Sequence, residues 1–152
     1  MEYEFFYFFM FLTIISFLIC IKIKSLSFGI LITGIATVGY SLVYEIILGD
    51  RMQLYHYISP QMSTLYMVLG AIFIYPLLNM IYLLFLPKKI SGIMLYTIVW
   101  IILMISIELL SLNTGTVVFT GWKLVPWSIV TYVATYGWIL FLSKKMKSKQ
   151  CF

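Results

Sequence analysis

Residues 90–112 read ISGIMLYTIVWIILMISIELLSL, and Glu108 is the single charged side chain among them. A helix rises about 1.5 Å per residue, so this stretch extends about 34 Å and can cross the roughly 30 Å hydrocarbon core of a bilayer. Four other stretches have the same character: Phe5 to Ile23, Leu26 to Leu48, Met62 to Leu86 and Leu124 to Leu142. Lys22 and Lys24 separate the first two, Gly49-Asp50-Arg51 opens the next loop, and Pro87-Lys88-Lys89 divides the third from the fourth. The loop from Asn113 to Lys123 is rich in Gly and Thr. The pattern predicts an all-α, polytopic transmembrane bundle of five helices over one domain of 152 residues, with residues 143–152 as a basic tail.

Composition excludes the main alternatives. Apolar residues make up 63% of the chain and charged ones 10%, against about 45–50% and 25% in soluble domains. A chain of this size buries only about 70% of the surface it exposes unfolded, so a soluble fold could not hide this much apolar area. Disorder needs the opposite composition. The net charge of +5 comes from short basic runs between apolar stretches, a membrane-topology pattern and not a nucleic-acid footprint.

Lysine and arginine positions set an expected orientation. Lys22, Lys24, Lys88, Lys89, Lys144, Lys145, Lys147 and Lys149 fall on one side, and Arg51 and Lys123 on the other. Basic residues close to helix ends concentrate on the cytoplasmic side. The expectation is a multi-pass protein of the cell membrane with its N-terminus outside and its C-terminus in the cytoplasm. Glu2 and Glu4 precede the first apolar run, where a signal peptide would be positive, so that run reads as a retained helix.

Two carboxylates, Glu45 and Glu108, lie within apolar runs. Ionisable residues inside membrane helices are costly and usually face the bundle interior or a cavity. Under the topology above, both sit near the outer ends of helices that run outward, at similar depth. Thr33, Thr37, Ser41 and Glu45 recur every four residues, which places them on one stripe of the second helix. Two readings are open. In one, the pair forms a proton- or cation-responsive outer site or grips a polar head group, with Ser41 and Thr37 beside it and Arg51, His56 or Lys123 as partners from the outer loops. In the other, each carboxylate is a buried structural partner that fixes helix register. Pro76 and Asn79 mark a kink in the third helix, read either as a hinge lining a cavity or as a static bend.

Other chemistry is sparsely represented. One histidine and two isolated cysteines, Cys20 and Cys151, supply neither a metal site nor a disulfide framework. The sequence carries no GxSxG, HExxH, Walker A or GxGxxG pattern, so no catalytic residue and no cofactor is assigned. The cluster Lys144-Lys145-Met146-Lys147-Ser148-Lys149 suits anionic lipid or a topology anchor.

From about Thr33 onward the motifs stand in a suggestive order: Tyr75-Pro76, then Tyr82 through Leu86-Pro87, then Tyr96, Trp100 and Glu108, then Gly115, Gly121-Trp122, Trp127-Ser128 and Lys144-Lys145. In this order the chain resembles a family of small multi-spanning membrane proteins of endospore-forming Gram-positive bacteria. The resemblance covers roughly three quarters of the chain and leaves out Phe5 to Ile23. It implies an integral membrane protein of similar architecture and carries over no activity. Three functions remain open: a non-enzymatic component of the cell or spore envelope that binds lipid or a membrane-protein partner, a small homo-oligomeric carrier or proton-linked transporter using Glu45 and Glu108, and a lipid-modifying enzyme.

Overall fold

A computed structural model describes residues 2–149, and the end of the tail, with Cys151, lies outside the described residues. Five helices among the described residues are long and apolar enough to cross a membrane. They are α1 (Glu2–Ile23), α2 (Phe28–Arg51), α3 (Ser63–Leu84), α4 (Ile90–Asn113) and α5 (Ile129–Lys149), the last preceded by the turn Leu124–Ser128. Two three-residue strands, β1 (Tyr55–Tyr57) and β2 (Val117–Phe119), pair in the loops at one end. The protein is an all-α bundle of five helices.

Local chemistry sets the helix ends. Glu2 and Glu4 lie in the first turn of α1, where negative charge offsets the positive end of the helix dipole. Ser27 stands outside helical geometry, and its hydroxyl accepts the Ile30 N–H at 3.4 Å, capping α2 two residues later than the apolar run begins. At its other end α2 outruns the apolar stretch, because the chain continues through the wide turns of Ile46–Arg51. Lys24 Nζ donates to the Leu84 carbonyl at 3.0 Å, satisfying one of the orphan acceptors where α3 ends. Instead of stopping at Leu142, α5 continues as helix through the lysines to Lys149, since lysine is a good helix former once the chain leaves the apolar layer.

The third span occupies the middle of the bundle. In its apolar window 61% of residues are buried, against 6% in α4. α3 packs along α1 and α2, α2 packs along α5, and α5 along α4. Gly34 permits one close approach: a Cβ there would lie 2.6 Å from Met80 Sδ on α3. α1 and α4 share no comparable seam. Thr116, just past α4, reaches α1 by donating to the Glu2 carbonyl at 3.0 Å.

One half of the bundle is filled by aromatic packing. Tyr82 is fully buried, its ring 4.8 Å from Tyr136, 5.2 Å from Tyr96 and 5.7 Å from Trp100, centre to centre. Its hydroxyl shares a 2.6 Å hydrogen bond with Thr97. This half ends where Lys22, Lys24, Lys88, Lys89, Lys144 and Lys145 gather, since all six flank the same ends of their helices.

The opposite end carries a cap. β1 and β2 run antiparallel, with Tyr55 opposite Phe119 and Tyr57 opposite Val117. The Leu54 carbonyl accepts the N–H groups of Thr120, Gly121 and Trp122 at 2.9–3.0 Å, and Ile58 N–H donates to Thr116 O at 3.0 Å. Ile58 has φ +58, a conformation costing a β-branched residue about 1–2 kcal/mol. Its buried side chain and the Thr116 bond hold it there. The α2–α3 and α4–α5 loops are therefore one folded unit.

The α2–α3 seam yields a direct prediction. Gly34→Leu, which must displace Met80, should lower stability in mild detergent by about 1–3 kcal/mol. Gly39→Leu, where a Cβ meets nothing within 4 Å, should leave the thermal midpoint close to that of the parent. Equal midpoints for the two variants would contradict the seam.

Candidate functional site

The stripe read from α2 is its buried face: Thr33, Thr37, Ser41 and Glu45 are all buried. Its members divide by how they spend their polar groups. Thr33 and Thr37 donate to the carbonyls of Gly29 and Thr33, each at 2.8 Å, which satisfies both hydroxyls within the helix. Ser41 and Glu45, one and two turns further, border a cavity of about 200 Å³ in the capped half of the bundle.

Three tyrosine hydroxyls converge on Glu45, which is 3% exposed. Tyr55 donates to Oε2 at 2.8 Å, Tyr75 donates to Oε1 at 2.7 Å, and Tyr57 approaches Oε1 at 3.3 Å. Tyr57 and Tyr75 also share a 2.6 Å bond, so the hydroxyl protons are ordered as a short relay ending on the carboxylate. Burial and the neighbouring Glu45 charge push the hydroxyls of Tyr55 and Tyr57 well above the ordinary tyrosine range. Both therefore remain protonated donors at neutral pH.

The backbone explains how these donors arrive. In a strand, alternate side chains share a face, so Tyr55 and Tyr57 point together while His56 points away. Tyr75 comes after a wide turn at Gly70–Ile74, where its N–H bonds the Gly70 carbonyl five residues back. Pro76 is next and has no N–H to give the helix ladder. A wide turn adds one residue and rotates the rest of the helix by about 100°, and the helix resumes with Tyr75 on the cavity side. Pro76 follows this wide turn directly, and Asn79, one turn on, also lines the cavity.

Glu108 borders the same cavity from α4 under a different arrangement. Its Oε1 accepts the Ser128 hydroxyl at 2.6 Å, and Ser128 in turn accepts the Trp122 indole N–H at 2.9 Å. Its Oε2 is buried, and the Tyr132 hydroxyl stands close enough to serve this carboxylate as a further hydrogen-bond donor. No hydrogen bond joins Glu45 to Glu108: each is held by its own donors. Nor do the basic residues at the capped end reach them, since Arg51 and Lys123 are exposed. His56 borders a second recess with Asp50, Gln53 and Thr120, and its Nδ1 is buried without a partner.

The cavity wall comes from all five helices and the cap. Phe5, Phe6 and Phe9 contribute from α1, Tyr40 and Tyr44 from α2, Leu78 from α3, Ile107 from α4, and Thr131 and Tyr132 from α5. Tyr44 and Thr131 share a 3.0 Å hydrogen bond, and the Tyr44 ring meets Trp122 edge to face at 6.4 Å. Glu45 and Glu108 are visible in the sequence as charges in apolar runs. The tyrosine donors were signalled only by the Tyr-His-Tyr alternation at 55–57, and Ser128 and Trp122 by nothing but their place in the loop.

The chain matches no protein-family model, and no curated protein and no solved structure is significantly similar to it.

The Glu45 cluster predicts selective losses. Tyr75→Phe should cost about 1.5–3 kcal/mol of stability, the scale of a hydrogen bond to a charged group. Tyr40→Phe, whose ring lines the same cavity, should change stability by no more than about 0.5 kcal/mol. A double-mutant cycle between Tyr75→Phe and Glu45→Gln, read by denaturation in mixed micelles, should show coupling; strict additivity would exclude the contact.

Proposed function

We propose that this protein is a non-enzymatic, membrane-embedded binding protein whose cavity accepts a lipid-like amphiphile from the outer leaflet. The observation that carries the reading is the position and build of the cavity. It is largely aromatic and aliphatic, it has two carboxylates and several hydroxyls at one level, and it lies in the half of the bundle closed by the outer cap. Ligand sites are commonly apolar clefts with a few placed polar groups.

The packing supports a route from the bilayer. α1 and α4 are among the helix pairs that share no packing seam, and each puts residues into the cavity wall. A chain entering there keeps its tail in lipid while its head reaches the carboxylates. At about 200 Å³ the cavity falls below the roughly 300–1,000 Å³ of sites that enclose a drug-sized ligand. That suits a head group and the first carbons of a chain. Met104 and Tyr136 bound the cavity, and Tyr82, Leu83 and Ile139 pack against them to fill the other half of the bundle, which favours binding over passage across the membrane and sets the carrier reading second.

The orientation belongs to the same proposal. With the lysine-rich end in the cytoplasm, the cap, the cavity and the N-terminus face outward. The resemblance to small membrane proteins of endospore-forming bacteria adds the cell or spore envelope as the setting, and bilayer lipid is the partner that covers the exposed faces of α1 and α4.

Two measurements test this. In a background with Cys20 and Cys151 replaced by serine, Asp50→Cys should react with an impermeant maleimide added outside intact cells; labelling only after permeabilisation would reverse the orientation. In liposomes, single-chain amphiphiles with a diazirine near the head and a cationic, neutral or anionic head group should be photolabelled. Saturable adducts on Tyr44, Trp122 or Tyr132 are expected with at least one of them. Adducts confined to lipid-facing residues such as Phe8 and Ile102 for all three would overturn the reading.

A further inference from the structure

Two contacts join neighbouring helices near the level of the carboxylates. Tyr75 on α3 donates to Glu45 on α2, and Tyr44 on α2 shares a hydrogen bond with Thr131 on α5. One helical turn further from the cap, the same three helices bring Ser41, Asn79 and Thr135 to the cavity wall. A step of four residues keeps the helix face and moves about 6 Å along the axis, so these three form the next layer down. Their polar groups are uncommitted. None of the three side chains takes part in a hydrogen bond, although Ser41 is only 7% exposed and Asn79 only 5%. Their hydroxyls and amide are not sealed in: they open onto the cavity. Thr33 and Thr37, deeper on the same stripe, instead bond their own helix.

The layer also lies where an entering molecule would meet it. Packing seams run from α1 to α3, from α3 to α2, from α2 to α5 and from α5 to α4, which leaves α1 and α4 at the two ends of the series. Asn79, Ser41 and Thr135 belong to the three middle helices, the wall that faces a head group arriving between α1 and α4.

Resting on the amphiphile-binding reading, we propose that the ligand is an uncharged single-chain amide whose head pairs with the side chain of Asn79. Its N–H donates to Asn79 Oδ1 and its carbonyl accepts from Asn79 Nδ2, with the hydroxyls of Ser41 and Thr135 beside it. The free groups of this layer are neutral and combine donors with acceptors. Both carboxylates one turn above already have hydroxyl donors, Tyr55, Tyr57 and Tyr75 for Glu45 and Ser128 and Tyr132 for Glu108. An ammonium head would bring its charge to a layer that holds no anion. An anionic head would enter a cavity whose wall has no lysine, arginine or histidine. Either charge would be buried without a partner, which is costly. A hydroxyl head donates and accepts through a single atom, and an ester carbonyl accepts without donating. A primary amide addresses both ends of the Asn79 amide at once, which makes Asn79 the residue that sets head-group specificity.

The test uses the full chain in phosphocholine nanodiscs at neutral pH. The neutral-headed diazirine amphiphile serves as the label, and dodecanamide, dodecanol, methyl dodecanoate, dodecylamine or dodecyl sulfate as the competitor. Dodecanamide should displace the label at a mole fraction roughly threefold to tenfold below dodecanol or the ester, as one further hydrogen bond implies. The two charged competitors should be weakest. Asn79→Leu should remove the advantage of the amide. Because the Asn79 side chain bonds nothing in the bundle, the same variant should leave the thermal midpoint of the ligand-free protein no lower than that of the parent. Asn79→Ala repeats both readouts without the bulk of leucine. Any other competitor matching dodecanamide on the parent would overturn the proposal while leaving the cavity as a lipid site. An unchanged ranking in the folded variants would remove Asn79 from the head-group contact, and midpoints well below the parent in both would make its amide a structural partner; either result overturns the proposal. Failure of all five to displace the label would overturn the binding reading itself, and the proposal with it.

Discussion

Placing the carboxylate of Glu45 inside an apolar bundle is the constraint that organises the capped half of this protein. A buried anion without donors would be too costly to keep, so hydroxyls must be brought to it. Two come from β1, outside the helices, and one comes from the middle of α3. Satisfying one side chain thus draws the α2–α3 loop down onto the bundle. That loop carries the α4–α5 loop with it through the β1–β2 pairing and the Leu54 carbonyl. The cap is a consequence of the buried carboxyl group beneath it.

The same constraint shapes the cavity. Tyrosines clustered around Glu45 hold α2, α3 and the cap at fixed positions, while α4 stays apart from α1 and is tied in elsewhere. Tyr82 anchors α4 through Thr97, Tyr96 and Trp100 in the lysine-rich half, and Glu108 anchors it through Ser128 in the other. Between those two anchorages the space is left open. Close aromatic packing fills one half of the molecule, and the other half holds an aromatic-lined cavity.

Much of this was legible in the sequence. Five apolar runs of spanning length gave five helices, because the bilayer fixes both the length and the composition such helices need. Glu45 and Glu108 stood out because so little else in the apolar runs is charged, and Thr33, Thr37, Ser41 and Glu45 fell on one face because helical periodicity is rigid. The partners were not legible. Arg51, His56 and Lys123 were candidates on charge and nearness along the chain, yet the donors are neutral hydroxyls and an indole-backed serine. Contacts such as Tyr55 to Glu45 depend on how a loop folds back across helices, and no local period encodes that. The strands were missed for the same reason: three residues of β structure are stabilised by their partner, not by their own propensity.

The central claim is that Glu45 is fully engaged by tyrosines while Glu108 faces a cavity that an amphiphile fills. An experimental structure of the protein in lipid with a single-chain amphiphile present tests it most directly. The account predicts the Tyr55, Tyr57 and Tyr75 hydroxyls within hydrogen-bond reach of Glu45, and amphiphile density in the cavity. A structure in which Glu45 is separated from those hydroxyls, or in which the cavity is closed by packed side chains, would contradict it.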